Sequence, residues 1–149
     1  MIERELDIPT ADGAMNTFVV HPEEGGPHPV VLFFMDAPGK REELHDMARR
    51  LASVGYYVML PNLYYRSGVM ELGPIPPDPD APERKAMFGY MNSINIPMVM
   101  EDTTALLTAN DAGAGTRDLD FRPAFDRYWG VRALAGTAGI MLVLRLGSA

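Results

Sequence analysis

The chain has 149 residues, 47% of them hydrophobic and 22% charged, with a formal net charge of −7 and no cysteine. That length supports one core, burying roughly 70% of the unfolded chain's surface, and the composition excludes disorder over the whole length. The acidic balance disfavours nucleic acid and anionic membranes, which are bound by cationic side chains that release counterions; without cysteine there is no disulfide, thiolate metal ligand or cysteine nucleophile.

Residues 2–8 and 14–21 alternate apolar with polar side chains around Thr10-Ala11-Asp12-Gly13, which predicts an antiparallel hairpin closed by a short turn. The same amino terminus lacks both the basic start and the apolar block of a secretion signal, so a cytoplasmic setting is expected. Residues 22–29 contain three prolines and two glycines and read as an exposed connector.

Residues 30–35, Val-Val-Leu-Phe-Phe-Met, form a continuous apolar run that suits a strand buried on both faces. In residues 42–54, Leu44, Met47, Ala48 and Leu51 recur at helical spacing, and Gly55 stands where a helix stops. Residues 56–60 are a second buried strand closed by Pro61, so strand, helix and strand make a right-handed βαβ unit.

Gly-Pro, Pro-Pro, Asp-Pro and Ala-Pro steps make residues 68–82 a long loop. Residues 83–92 are weakly helical, with Met87, Tyr90 and Met91 on one side. Residues 97–110 give a further helix through Met98, Met100 or Glu101, Ala105, Leu106 and Ala109, with Pro97 suited to its first turn.

Beyond Glu101 the chain has neither glutamate nor lysine, a composition shift of the kind a changed reading frame produces. Residues 112–146 support no assignment to helix or strand. The apolar stretch 140–146 is broken by Arg145 and falls short of the roughly 20 residues needed to span a bilayer, so no membrane anchor is expected.

The strand at 30–35 with Met35-Asp36-Ala37-Pro38-Gly39 after it, the helix, and Gly55-Tyr56 leading to Pro61-Asn62-Leu63-Tyr64-Tyr65-Arg66 together resemble the amino-terminal half of the dienelactone hydrolase family, over about the first 110 residues. The resemblance implies a three-layer α/β-hydrolase-type sheet, mostly parallel with an amino-terminal antiparallel hairpin and incomplete at its carboxyl half. It further implies a single truncated domain, family-like over 1–110 and atypical and poorly ordered over 111–149. The implied chemistry is hydrolysis of a small-molecule ester or lactone through a covalent acyl-enzyme, with no cofactor.

In the family, the turn after this strand supplies one oxyanion-hole N–H, which falls on Ala37. A backbone donor needs a rigid turn rather than a particular side chain, and Pro38 and Gly39 suit one. The family's acid at the start of the turn, usually glutamate, falls on Asp36; it contacts a cysteine nucleophile that this chain lacks. Asn62 stands where the family has aspartate. Family arginines that hold a substrate carboxylate point to Arg66 and Arg84. The rest of the machinery has no match: no Gly-x-Ser-x-Gly or Gly-x-Cys-x-Gly elbow occurs, and Gly147-Ser148-Ala149 lacks the flanking glycine and a following helix. Inactivity of the chain alone is therefore expected. The rival reading is a binding or interaction protein that keeps the scaffold without turnover.

Other chemistry-bearing residues are weighed against plain structural roles. His21 and His28 border the Pro-Gly connector and His45 lies on a helix, so surface placement outweighs a triad, and no two are spaced for a metal site. Ser53, Ser67 and Ser93 lack elbow glycines. Met87, Met91, Met98 and Met100 fill core more readily than they line a ligand pocket. With the elbow strand missing, the apolar strand at 30–35 would present an open edge, and self-association through that edge is expected.

Overall fold

The computed structural model describes residues 1–24, 28–109 and the backbone of 141–143. Strands β1 (Ile2–Thr10) and β2 (Gly13–His21) pair antiparallel as the alternation predicts, from Ile2 opposite His21 to Thr10 opposite Gly13. The turn is held by the Thr10 hydroxyl, which donates to the Gly13 carbonyl at 2.9 Å and accepts the Asp12 N–H at 3.2 Å.

Strand β3 (Val30–Phe33), helix α1 (Glu42–Ser53) and strand β4 (Tyr57–Pro61) form the βαβ unit, with β3 and β4 parallel and Val31 opposite Val58. Every residue of both strands is buried, as continuous apolar runs require. Strand β2 pairs antiparallel with the other side of β4, giving a mixed sheet in the order β1-β2-β4-β3-β5, where β5 is Met141–Val143. A one-turn 3-10 segment (Tyr65–Ser67) follows β4, and helices α2 (Pro82–Asn92) and α3 (Ile96–Thr108) follow the long loop. Proline begins α2, and the Asn95 side chain caps α3 by accepting the Met98 N–H at 3.0 Å.

The open edge expected for β3 is a correction. Strand β5 lies along it antiparallel, with Val31, Leu32 and Phe33 opposite Val143, Leu142 and Met141. A buried edge strand must satisfy its N–H and C=O groups, and a segment from the unassigned tail does so. The rest of that tail lies outside the described residues.

Alternation sorts β1 by face. Glu3 and Glu5 lie opposite Val20 and Phe18 and meet α1 and the turn before it: Arg49 pairs with Glu3 at 3.0 Å and Lys40 with Glu5 at 2.6 Å. The ring of His45 stacks on Phe18 at 4.3 Å, its Nε2 enclosed and 3.9 Å from Glu5. The other face carries Leu6 and Ile8 opposite Thr17 and Met15, and α3 packs against β1. In α1 the buried positions are Leu44, Ala48 and Ala52, whereas Met47 is 50% exposed. The buried stripe is thus narrower than the apolar spacing suggested.

The turn after β3 is pinned by the long loop. Gly39, at φ 94°, bridges Glu71; the Lys40 N–H donates to the Met70 carbonyl at 2.9 Å and the Leu72 N–H to the Pro38 carbonyl at 2.8 Å. A Cβ on Gly39 would sit 2.3 Å from the Met70 carbonyl oxygen, whereas one on Gly68, also at positive φ, would meet nothing within 4 Å. Gly68→Ala is expected to cost only the left-handed strain, about 1 kcal/mol, and Gly39→Ala clearly more because backbone must also separate. Urea melts of the two variants side by side check this; equal costs would contradict the pinned turn.

Candidate functional site

The carboxyl end of β3 delivers Met35 and then the turn 36–39, the place where open α/β sheets gather ligand-binding groups. The Gly39 N–H donates back to the Asp36 carbonyl at 3.0 Å and closes the turn. Asp36 is partly exposed, and both its carboxylate oxygens are held by Arg41: Nη1 to Oδ1, and Nη2 to Oδ2 at 3.0 Å. Nη1 also donates to the Gly39 carbonyl at 3.1 Å. The hydrogen bonds that Arg41 donates to Asp36 hold its guanidinium's pKa above the ordinary value.

Ala37 is half-buried, and its carbonyl accepts the Tyr64 hydroxyl at 2.9 Å. Among the described residues its N–H donates to no group. An unengaged N–H on a pinned turn can stabilise an oxyanion without reorganising. The Tyr64 ring is buried, and burial, then the negative charge of Asp36, raises its hydroxyl's pKa.

Asn62 accounts for itself structurally. Its side-chain amide donates to the Val69 carbonyl at 2.8 Å while its oxygen accepts the Tyr64 N–H at 3.0 Å. An ionised aspartate could accept but not donate, so the amide joins β4 to the long loop as well as to Tyr64.

The two sequence-selected arginines are engaged by other partners. Arg66 is bidentate to the fully buried Asp102 of α3, at 2.8 and 2.9 Å, and its Nε donates to Asp12 in the hairpin turn at 2.6 Å. Tyr65 joins the same cluster, donating to Asp102 at 2.9 Å and sharing a 2.8 Å bond with the Thr10 hydroxyl. The hydrogen bonds that Arg66 donates to Asp102 raise its pKa, and burial raises that of Tyr65. Arg84 donates to the Pro76 carbonyl at 3.0 Å and lies 5.5 Å from the Phe88 ring centre. Neither arginine is joined to the turn at Asp36 by a hydrogen bond or ion pair.

The histidines are less superficial than expected. His21 is buried, stacked on Tyr57 at 4.9 Å, with Nδ1 2.8 Å from the Pro22 carbonyl, and His28 lies 6.3 Å away. Ser53 and Ser93 donate to carbonyls three residues back, Arg50 at 2.7 Å and Tyr90 at 2.6 Å, while Ser67 is exposed at the end of the 3-10 turn. Ser148 lies outside the described residues. Of the four methionines only Met87 is fully buried; Met91 is 40% exposed. Among the described residues no cluster of three or more acidic or imidazole groups could hold a metal ion, and no helix is long and apolar enough to cross a membrane.

Sequence reasoning missed Arg41, Lys40, Asp102 and the role of Tyr64. Asp102 carried a faint signal: it stands four residues before Leu106 on the buried stripe of α3.

The sequence profile of the dienelactone hydrolase family matches residues 15–114. A Methylorubrum extorquens protein named "Putative carboxymethylenebutenolidase" is 40% identical over 68 residues, covering 46% of this chain and 23% of that protein. One of the same name from Yersinia pestis is 35% identical over 65 residues, covering 43% and 24%. The matches thus span about a quarter of those relatives. A crystal structure named as a "Putative Dienelactone Hydrolase" from Klebsiella pneumoniae superposes with a TM-score of 0.60 at 26% identity, over 76% of this chain and 45% of that one.

Two outcomes follow from the ion pairs and phenols. Arg66→Met strands the buried Asp102 carboxylate with only Tyr65 and is expected to cost about 3–5 kcal/mol, whereas exposed Asp12→Asn should cost about 0.5 kcal/mol or less; urea titration measures both. Tyr64 and Tyr65 have folded-state pKa values raised above the ordinary value of about 10. The folded state therefore holds these protons more tightly, and their stabilisation is complete below about pH 10 and lost as pH rises through the folded values. Urea midpoints across the alkaline range should fall, and fall less steeply in Tyr64→Phe.

Proposed function

This chain belongs to the dienelactone hydrolase family, and from that premise we propose that it carries half of a site for hydrolysing a small ester or lactone in the cytoplasm. The observation that carries this reading is that the Ala37 N–H, on a turn fixed at the carboxyl end of β3, donates to no group among the described residues. In acyl transfer, attack on the substrate carbonyl moves charge onto its oxygen, and a preset N–H at about 3 Å stabilises that charge. Ala37 is the donor in this reading, and Asp36, clamped by Arg41, is the carboxylate beside it.

The chain by itself does not complete the reaction. Its sequence holds no cysteine and no elbow motif, so it offers no recognisable nucleophile for the acyl intermediate. The same sequence feature favours one alternative, small-ligand binding on the hydrolase scaffold without turnover. In either case the substrate contact falls at the turn rather than at Arg66, whose guanidinium is engaged by Asp102 and Asp12. Self-association through β3 is no part of the reading, because β5 occupies that edge.

Release of p-nitrophenolate from p-nitrophenyl acetate decides the matter. The expected result is no rate above buffer for the chain, and none for Asp36→Ala or Ser148→Ala. Turnover abolished by Ser148→Ala would overturn the inactivity and make the terminal serine a nucleophile. Binding of a lactone without turnover, weakened in Asp36→Ala, would favour the alternative.

A further inference from the structure

Tyr64 has no role in the chemistry so far described, yet its buried hydroxyl reaches the one peptide group next to the candidate donor. The orientation of the Ala37 N–H is fixed by two planes that meet at its Cα. In the first, the Asp36 carbonyl is tied to the Gly39 N–H at 3.0 Å. A planar trans peptide points N–H opposite to C=O, so this bond sets the direction of the Ala37 N–H relative to the turn. In the second, the Ala37 carbonyl is tied to Tyr64 at 2.9 Å. With both planes held, neither soft dihedral of Ala37 is free.

The anchors are themselves joined in a closed circuit. Tyr64 is tied through its own N–H to Asn62, Asn62 to the Val69 carbonyl, and the next residue, Met70, to the Lys40 N–H beside Gly39. The segment 69–72 therefore straps the turn from one side while Tyr64 holds it from beneath.

We infer that Tyr64 is a positioning residue, whose hydroxyl holds the Ala37–Pro38 peptide so that the Ala37 N–H keeps one direction, with the strap at 69–72 fixing the other end of the turn. The inference rests on the reading of Ala37 as an oxyanion donor for its purpose, but its test does not. The ring of Tyr64 packs beside that of Tyr90 at 6.0 Å, a contact that phenylalanine retains. Tyr64→Phe therefore removes the hydroxyl and leaves the packing.

Two nuclear magnetic resonance readouts on the intact chain test it. The ¹⁵N order parameter of the Ala37 N–H is expected near 0.85 in the wild type and to fall toward about 0.6 in Tyr64→Phe. A carbon-detected spectrum correlates the Ala37 carbonyl with the Pro38 nitrogen, so the bond can be followed without an amide proton. In the wild type that carbonyl should shift upfield as pH rises through the folded-state pKa of Tyr64, which lies above the ordinary value of about 10, and in Tyr64→Phe it should be shifted already and no longer titrate. An Ala37 order parameter unchanged in Tyr64→Phe, or a wild-type Ala37 carbonyl that stays put while the Tyr64 ring carbon signals titrate, would overturn the inference. The wild-type titration needs no variant, so the test stands if Tyr64→Phe fails to fold. Both readouts are taken without ester, so ester assays and aim can fail independently.

Discussion

The structure depends most on the close approach of the long loop to the turn after β3, where Gly39 leaves only 2.3 Å between an ideal Cβ and the Met70 carbonyl oxygen. Two backbone hydrogen bonds on either side of Gly39 hold the loop there. Each is individually modest, about 1 kcal/mol net, but together they satisfy groups that a buried turn cannot leave unpaired. The consequence reaches in both directions. Residues 69–72 gain a fixed place in a loop otherwise made of proline steps, and the turn gains a rigidity that its own single internal bond could not supply.

Charge placement extends that constraint to the rest of the described fold. Lys40, 2% exposed, continues the pinned turn and drives its ammonium between Glu5 of β1 and Asn16 of β2. Arg66, just past the carboxyl end of β4, does the equivalent for the helical side, joining the hairpin turn to α3 through Asp12 and Asp102. Ion pairs of this kind add little when exposed. Where one member is fully buried, as Asp102 is, removing the partner leaves an unsolvated charge, and the pair fixes which helix meets which strand.

The local elements were legible because they are written in periodicity: the hairpin, the βαβ unit and the two later helices follow alternation, apolar runs and caps within a few residues of their observed limits. The turn at 36–39 was legible as a place through family resemblance. Its clamps were not. Arg41 follows the turn, but nothing local distinguishes it from Arg49 or Arg50, and only the fold shows that Arg41 turns back to Asp36 while Arg49 reaches Glu3. Asp102 and Lys40 are charged residues that tertiary partners bury, which composition argues against in general. Strand β5 is three residues in a stretch without periodicity, and its place is set by the unpaired edge of β3 rather than by its own pattern.

That edge also limits how the half-site could be completed. A strand has two hydrogen-bonding sides, and those of β3 over Val31–Phe33 are taken by β4 on one side and β5 on the other. In the complete family arrangement the nucleophile strand lies beside β3. Strand β5 instead runs antiparallel there, and a strand entered from β4 through a crossover helix would run parallel to β3. The two cannot pair with the same residues at once. A further strand laid along that edge of β3 would have to displace β5 first. The pinned turn, whose bonds come from residues 36–41, 62–64 and 69–72, would survive the exchange intact.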